Sequence, residues 1–538
     1  MIIRISGIAA IAALLAATPA VAQDRDGGKK RRVDIAPYIE LSQVLTWDSV
    51  SDDVLTYTSV AAGLDAAVNT QRVSVNIAAR YEHQFTYDSR SSDSDIVTGL
   101  ANAQVRVARG LSIDAGGIAT RTRTDIRGAA PAFFGNNDRN VSNVYSGYVG
   151  PTLATGRGPV FINGAYRFAY TKVTEPGSTG VAPGSAPIDY FDTSKLHMAT
   201  LSTGFKSGTI LPFGVTLSGG WTREDQGQLD GRFEGLYGRG DIVLPLTGTF
   251  AVEGGVGYEK ITSSSRDPLV DAGGNPVTDR NGRFVTDPVS PRRIAYRTDG
   301  IYWDAGVLWR PSPRTSLEAR VGRRYGSWTY TGSLSYAPTP SIGVQIGVYD
   351  QVETFGGQLQ RGLRGLPKEF TQTRDLLAQQ FSGCTFGTTG GGATGACLNS
   401  VFQSVSNATY RSRGIDGTVS LTRGGTQIGL GAGYANRKFY APQSPGIVIN
   451  GVTDESYYAQ LFASTQLGPR TSFSGDAFAN YYNSGLAPGL LSIGATGSVS
   501  QSFGRLGTSL SVGAYTFSQD GQQDQTQAQA TLGARYQF

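Results

Sequence analysis

From Ile35 almost to the last residue, apolar and polar positions alternate with a period of two, the pattern of a strand with two chemically different faces. In the final segment Thr526, Ala528, Ala530, Leu532, Ala534, Tyr536 and Phe538 share one face, and Gln525, Gln527, Gln529, Thr531, Gly533, Arg535 and Gln537 share the other. The same split sets Val73, Val75, Ile77, Ala79 and Tyr81 against Arg72, Ser74, Asn76, Ala78, Arg80 and Glu82. It recurs with Ile301, Trp303, Ala305, Val307 and Trp309, and with Ile342, Val344, Ile346 and Val348.

These stretches run to roughly ten to sixteen residues, about twice the usual strand of a soluble sandwich. That length matches a tilted strand crossing hydrocarbon with some margin. In lipid every backbone N–H and C=O must be paired within the protein, so a sheet spans only if it closes on itself. The predicted fold is therefore all-β: a transmembrane antiparallel up-and-down barrel with periplasmic termini. Short turns, such as Arg109-Gly110, Gly424-Gly425 and Phe503 to Arg505, alternate with mostly longer polar connections. The latter include Thr124 to Asn140, Thr174 to Tyr190, Thr262 to Thr298 and Phe355 to Thr409. Counting gives about 22 strands, within roughly 20 to 24, and an even number follows from both ends lying on the periplasmic side.

Gly533-Ala534-Arg535-Tyr536-Gln537-Phe538 closes an amphipathic strand on a terminal aromatic. It resembles the assembly signal that bacterial outer-membrane barrels present to the barrel-insertion machinery, with Gly533, Tyr536 and Phe538 as its marked positions. The chain from residue 35 to 538 also resembles the second family of putative β-barrel porins. That resemblance implies a barrel, with a channel as the further expectation, and no particular solute.

At the other end Arg4, the apolar stretch Ile5 to Ala17 and Ala20-Val21-Ala22 form a signal peptide (residues 1–22), with cleavage expected before Gln23. Residues 23–34, with Lys29, Lys30, Arg31 and Arg32, are then a short basic periplasmic segment. A dozen residues are too few for a plug domain, which disfavours a TonB-dependent receptor.

Composition narrows the chemistry. Gly is 72 of 538 residues and charged residues are 17%, above and below ordinary globular usage respectively. With two His, two Cys and two Met, multi-ligand metal, haem and iron–sulfur sites are excluded as expectations. The net charge of +5 comes from dispersed basic residues, so no nucleic-acid partner is expected. His83 and His197 have neither catalytic nor metal spacing and are read as polar or interfacial strand residues. Gly429, Gly431 and Gly433 share one strand face and lack the rest of a phosphate loop, so their role is steric, thinning the inner wall. Asp279-Arg280-Asn281-Gly282 resembles the start of a calcium loop without its later Glu. No catalytic residue, cofactor or metal is predicted, and no enzyme activity.

Cys384 and Cys397 lie in the longest connection. In an oxidising compartment two such thiols pair, and without C-x-x-C spacing a redox role is the weaker alternative. Around them Thr371 to Phe381 and Leu398 to Val405 read as mildly helical, with a Gly run at 390–392 easing the return. A barrel of this size needs narrowing, so residues 355–409 are expected to bend inward or cap the mouth.

Face assignment places Arg72, Arg80, Glu82, Arg106, Asp114, Arg167, Arg239, Asp241, Asp304, Glu318, Arg320, Arg324, Asp476 and Arg535 in the lumen, with Asp65 and Glu253. Such charges cost about 2 to 4 kcal/mol facing lipid near mid-membrane. Whether they set ion preference or pair along the wall stays open at this stage. The expected function is passive diffusion of small hydrophilic solutes. Export of a secreted polysaccharide and a structural or adhesion barrel with a blocked lumen are the alternatives. Expected partners are outer-membrane lipids and lipopolysaccharide, the secretion and barrel-assembly machinery, and the solute or polysaccharide.

Overall fold

The alternating strands close into a ring. A computed structural model describes residues 32–538, apart from 51, 88–92, 126, 128–139, 175–187, 280–281, 367–369, 373–382, 388–394, 404 and 445–446. The expected signal peptide, most of the expected basic segment, Arg280 and Asn281 of the calcium-like stretch and the Gly run at 390–392 lie outside the described residues.

The first barrel strands are β1 (Arg32–Asp48), β2 (Asp53–Asn69), β3 (Val73–Thr86), β4 (Ser94–Ala108), β5 (Leu111–Arg123), β6 (Val141–Arg157), β7 (Val160–Val173) and β8 (Thr193–Phe205). Next come β9 (Gly214–Gln226), β10 (Arg232–Pro245), β11 (Phe250–Ser265), β12 (Arg293–Ser312), β13 (Thr315–Arg324), β14 (Ser327–Thr339) and β15 (Ile342–Glu353). A helix, α1 (Phe355–Gly365), and three short strands, β16 (Phe370–Gln372), β17 (Cys384–Gly387) and β18 (Gly395–Cys397), interrupt the series. The barrel resumes with β19 (Thr409–Arg423), β20 (Thr426–Tyr440), β21 (Thr453–Gln466), β22 (Thr471–Ser484), β23 (Ala487–Phe503), β24 (Leu506–Gln519) and β25 (Gln525–Gln537).

All neighbours in the 22-stranded sheet are antiparallel, and β1 pairs with β25 from Tyr38↔Gln537 to Asp48↔Gln527, which closes the ring. The expected strand number is therefore met. Tight turns sit at the rim carrying both chain ends. In two of them Gly110 (φ 80°) and Gly424 (φ 60°) take the left-handed backbone that a Cβ would penalise.

Outward positions are apolar and exposed: Leu201, Leu217, Leu236, Val256, Ile301 and Leu532 among them, with Ile301 at 76% exposure. Among the described residues no helix is long and apolar enough to cross a membrane; the strands cross it. A closed sheet with this belt leaves no unpaired backbone edge for lipid to meet. The cylinder is thus an integral barrel of the bacterial outer membrane, surrounded by its lipids, with short turns periplasmic and longer loops outside.

The connection after β15 folds inward. Phe355, Leu359 and Leu363 repeat every four residues on α1 and, with Leu366, bury against Leu100, Ile118, Val144 and Val173 on the inner faces of β4 to β7. Thr354 caps the helix, accepting from the Gly357 N–H at 3.1 Å. Behind it Leu398, Val401, Phe402 and Val405 join the same cluster.

The expected helices are corrected here. Residues 399–403 form turns, and Phe370–Gln372 is a strand, while residues 373–381 and 404 are outside those described. The helix lies upstream, in a stretch whose glycines lower helix propensity but allow close approach. A Cβ on Gly362 would sit 2.7 Å from Leu398 Cδ2.

Candidate functional site

The lumen is the candidate site, and its wall is organised in sectors. On β10 to β13, Arg239 Nη2 donates to Asp241 at 2.6 Å and to Asp304 at 2.7 Å. Arg320 bonds Glu253 at 2.7 Å, Glu318 at 2.9 Å and Asp241 at 3.2 Å. Beside it Arg324 donates to Glu259 at 2.6 Å and lies 4.7 Å from the Tyr302 ring centre. Gly255 makes room for this network, since a Cβ there would meet Arg239 Nη2 at 2.3 Å. Arg239 and Arg320 face four carboxylates, Asp241, Glu253, Asp304 and Glu318, so this sector carries a surplus of two negative charges (2 − 4).

On the side reached by α1, Arg167 donates to Asp114 at 2.6 Å and to the Pro151 carbonyl at 2.7 Å. Arg361 of α1 pairs with Glu353 at 2.6 Å and lies 5.3 Å from the Tyr349 ring centre. A cavity of 280 Å³ separates α1 from β15 and β19, lined by Gln345, Tyr349, Arg361, Asp416 and Thr418. In the third sector Arg80 pairs with Glu40 and Glu82, both at 2.9 Å, and Arg535 pairs with Asp65 at 2.6 Å. There a cavity of 470 Å³ is lined by Glu40, Asp65, Arg80 and Arg535 and by hydroxyls of β22 to β25.

Of the charges assigned inside, Arg106 lies near the periplasmic rim, donating to the Gln71 carbonyl at 3.2 Å. Arg72 is a correction: it sits in the turn between β2 and β3, exposed, rather than on the wall, because β3 begins one residue later. Asp476 accepts from Gln460 at 2.7 Å, and Gln460 in turn accepts from the Cys384 N–H at 2.8 Å. Both histidines share outward faces with aromatics. His83 lies 2.8 Å from Asp95, and His197 lies 2.8 Å from the Tyr166 hydroxyl beside Phe168 and Trp221. This is the interfacial environment where amphipathic rings belong. At the edges of the calcium-like stretch Asp279 accepts from the Arg283 N–H at 3.0 Å. Among the described residues no group of His, Cys, Asp and Glu could hold a metal ion.

Cys384 and Cys397 form the disulfide, joining directly opposed residues of β17 and β18. The bridge lies against the inner face of β20 and β21, packed on Tyr458 and Phe462. Gly431 is what admits it: a Cβ at that position would lie 2.3 Å from Cys384 Sγ. With α1 docked on β4 to β7 and the bridge on β20 and β21, the inward segment reaches from one wall to the opposite one.

Two docking residues escaped the sequence reading. Glu224, buried at the outer end of β9, accepts from the Thr354 hydroxyl and stands against the first turn of α1, 3.8 Å from where a Gly357 Cβ would lie. Asp189 ties the mouth together, accepting from Gln228 Nε2 at 2.6 Å, Asn407 Nδ2 at 3.1 Å and the Phe284 N–H at 3.3 Å. Burial pushes the Asp189 carboxyl up to about 7, with these hydrogen bonds and Arg283 opposing the shift only in part. A carboxyl raised in the folded state binds a proton more readily there than in the opened loops. The loop cluster therefore loses stability as pH rises through the usual carboxylate range toward 7. Limited proteolysis of the outer loops should be slower at acid pH than at alkaline pH. Asp189→Asn should flatten that dependence; an unchanged profile in the variant would remove Asp189 from the account.

No family model and no curated protein matches the chain. Among solved structures it resembles the open form of the ferric-catecholate import receptor Fiu of E. coli K12, at 11% identity. That alignment covers 95% of this chain and 82% of that one, with a TM-score of 0.43. It also resembles the FrpB iron transporter of Neisseria meningitidis (10% identity, 94% and 83% covered, TM-score 0.44). A third is the alcaligin outer-membrane receptor FauA of Bordetella pertussis (10% identity, 95% and 77% covered, TM-score 0.40).

Proposed function

We propose that this barrel is a porin-like channel through which small hydrophilic solutes cross the outer membrane by passive diffusion, without catalysis or energy input. The observation that carries the reading is a lumen lined by paired charges and hydroxyls, with a cavity of 280 Å³ beside the inward segment that narrows it and one of 470 Å³ between β1 to β3 and β22 to β25. Ion pairs along a wall keep the interior wet. The reading agrees with the resemblance to the second porin family. In it, residues 1–22 serve as the leader and Gly533 to Phe538 as the part offered to the barrel-insertion machinery. Purified full-length chain in planar bilayers is expected to give stepwise, ohmic current. A folded protein that inserts and stays silent would overturn the channel and leave a blocked structural barrel.

A further inference from the structure

The larger cavity lies near the periplasmic rim, bounded by β1 to β3 and β22 to β25. One side is built of hydroxyls: Ser474, Ser498, Ser500, Ser509, Ser511 and Thr531. They face inward because each shares its strand's parity with buried neighbours, while Phe473, Val499, Leu510 and Leu532 alternate with them on the exposed face. Gly533 keeps the space clear, for a Cβ there would meet Ser509 Oγ at 2.9 Å and Ser42 Oγ at 3.4 Å.

The other side carries Arg80 with Glu40 and Arg535 with Asp65, each already paired. Among the residues that line the cavity two guanidiniums and two carboxylates cancel (2 − 2), and Glu82, the second partner of Arg80, stands outside the lining, so the cavity offers no positive excess. Arg535 also lies 3.4 Å from the Tyr38 ring centre, which together with Asp65 holds its planar donors in place.

We propose that this cavity is a binding subsite for neutral polyhydroxylated solutes, that is, sugars and short oligosaccharides. A serine hydroxyl both donates and accepts, so a carpet of them pairs with sugar hydroxyls in whatever direction these point. Fixed guanidinium and carboxylate edges supply stronger donors and acceptors at the margins. An acidic polymer would need surplus guanidinium, which this lining lacks. The inference rests on the channel reading for its biological use, but the binding itself is separately measurable.

The test is calorimetry of the full-length protein in a detergent without a sugar headgroup, titrated with raffinose, and with glucose against glucuronate. Saturable raffinose binding is expected, with glucuronate no tighter than glucose. S498A/S511A and, independently, S500A/S509A should each weaken raffinose binding about tenfold through the loss of two neutral hydrogen bonds. Heat-modifiable mobility in electrophoresis checks that each variant is folded. Absence of raffinose binding to the wild type, equal binding by both folded variants, or a clear preference for glucuronate would overturn the subsite. Silent bilayers with retained raffinose binding would sink the channel and keep the subsite. Conductance without raffinose binding would do the reverse.

Discussion

Replacing residues 356–407 by a short flexible linker will raise the single-channel conductance several-fold. The bore of a 22-stranded barrel is wider than the sixteen to eighteen strands that already leave a water channel, and here the segment spans it from β4–β7 to β20–β21. The wall that remains is self-supporting, because its strands pair with each other in a closed ring rather than through the insert. A partial version is Glu224→Ala, which removes the acceptor for Thr354 and the carboxylate against the first turn of α1. It should give a fluctuating intermediate level. Both are read in planar bilayers. Equal conductance in wild type and deletion would show that the segment does not limit flow.

The second large effect belongs to Arg437 and Asp454, whose side chains are both 0% exposed. Arg437 donates to Asp454 through Nη2 at 2.6 Å and Nε at 3.0 Å, with the Tyr410 and Phe439 ring centres each 5.3 Å from its guanidinium. Asp454→Ala strands a buried cation and should cost about 3 to 5 kcal/mol. Arg437→Met with Asp454→Leu removes both charges and should recover most of that loss. Denaturant unfolding in micelles, followed by electrophoretic mobility, measures both. A single variant as stable as the wild type would mean the pair is hydrated.

The barrel was largely legible because lipid and water impose opposite demands on successive residues, and Leu532 beside Thr531 or Ile301 beside Tyr302 states that demand directly. Strand number followed, since each reversal needs a turn residue such as Gly110 or Gly424. Gly431 was placed correctly on the inner face, yet the reason for its size, Cys384 Sγ, comes from a segment distant in sequence. Helix α1 was missed because propensity weighs Gly356, Gly357, Gly362 and Gly365 against it. The spacing of Phe355, Leu359 and Leu363 was the signal available. Partners in the ion network could not be read, because Arg239 and Asp304 meet through inter-strand register. Glu224, Asp189 and Arg437 carry no local motif. Their significance lies in what folds over them.

The seam between β1 and β25 has a consequence for biogenesis. β1 can satisfy its free edge only with β25, which is synthesised long after it, so Tyr38 waits for Gln537. Until that meeting a two-edged curtain of strands exists, prone to pairing with any neighbour. Truncations that remove β25 leave that edge open and should be degraded rather than inserted.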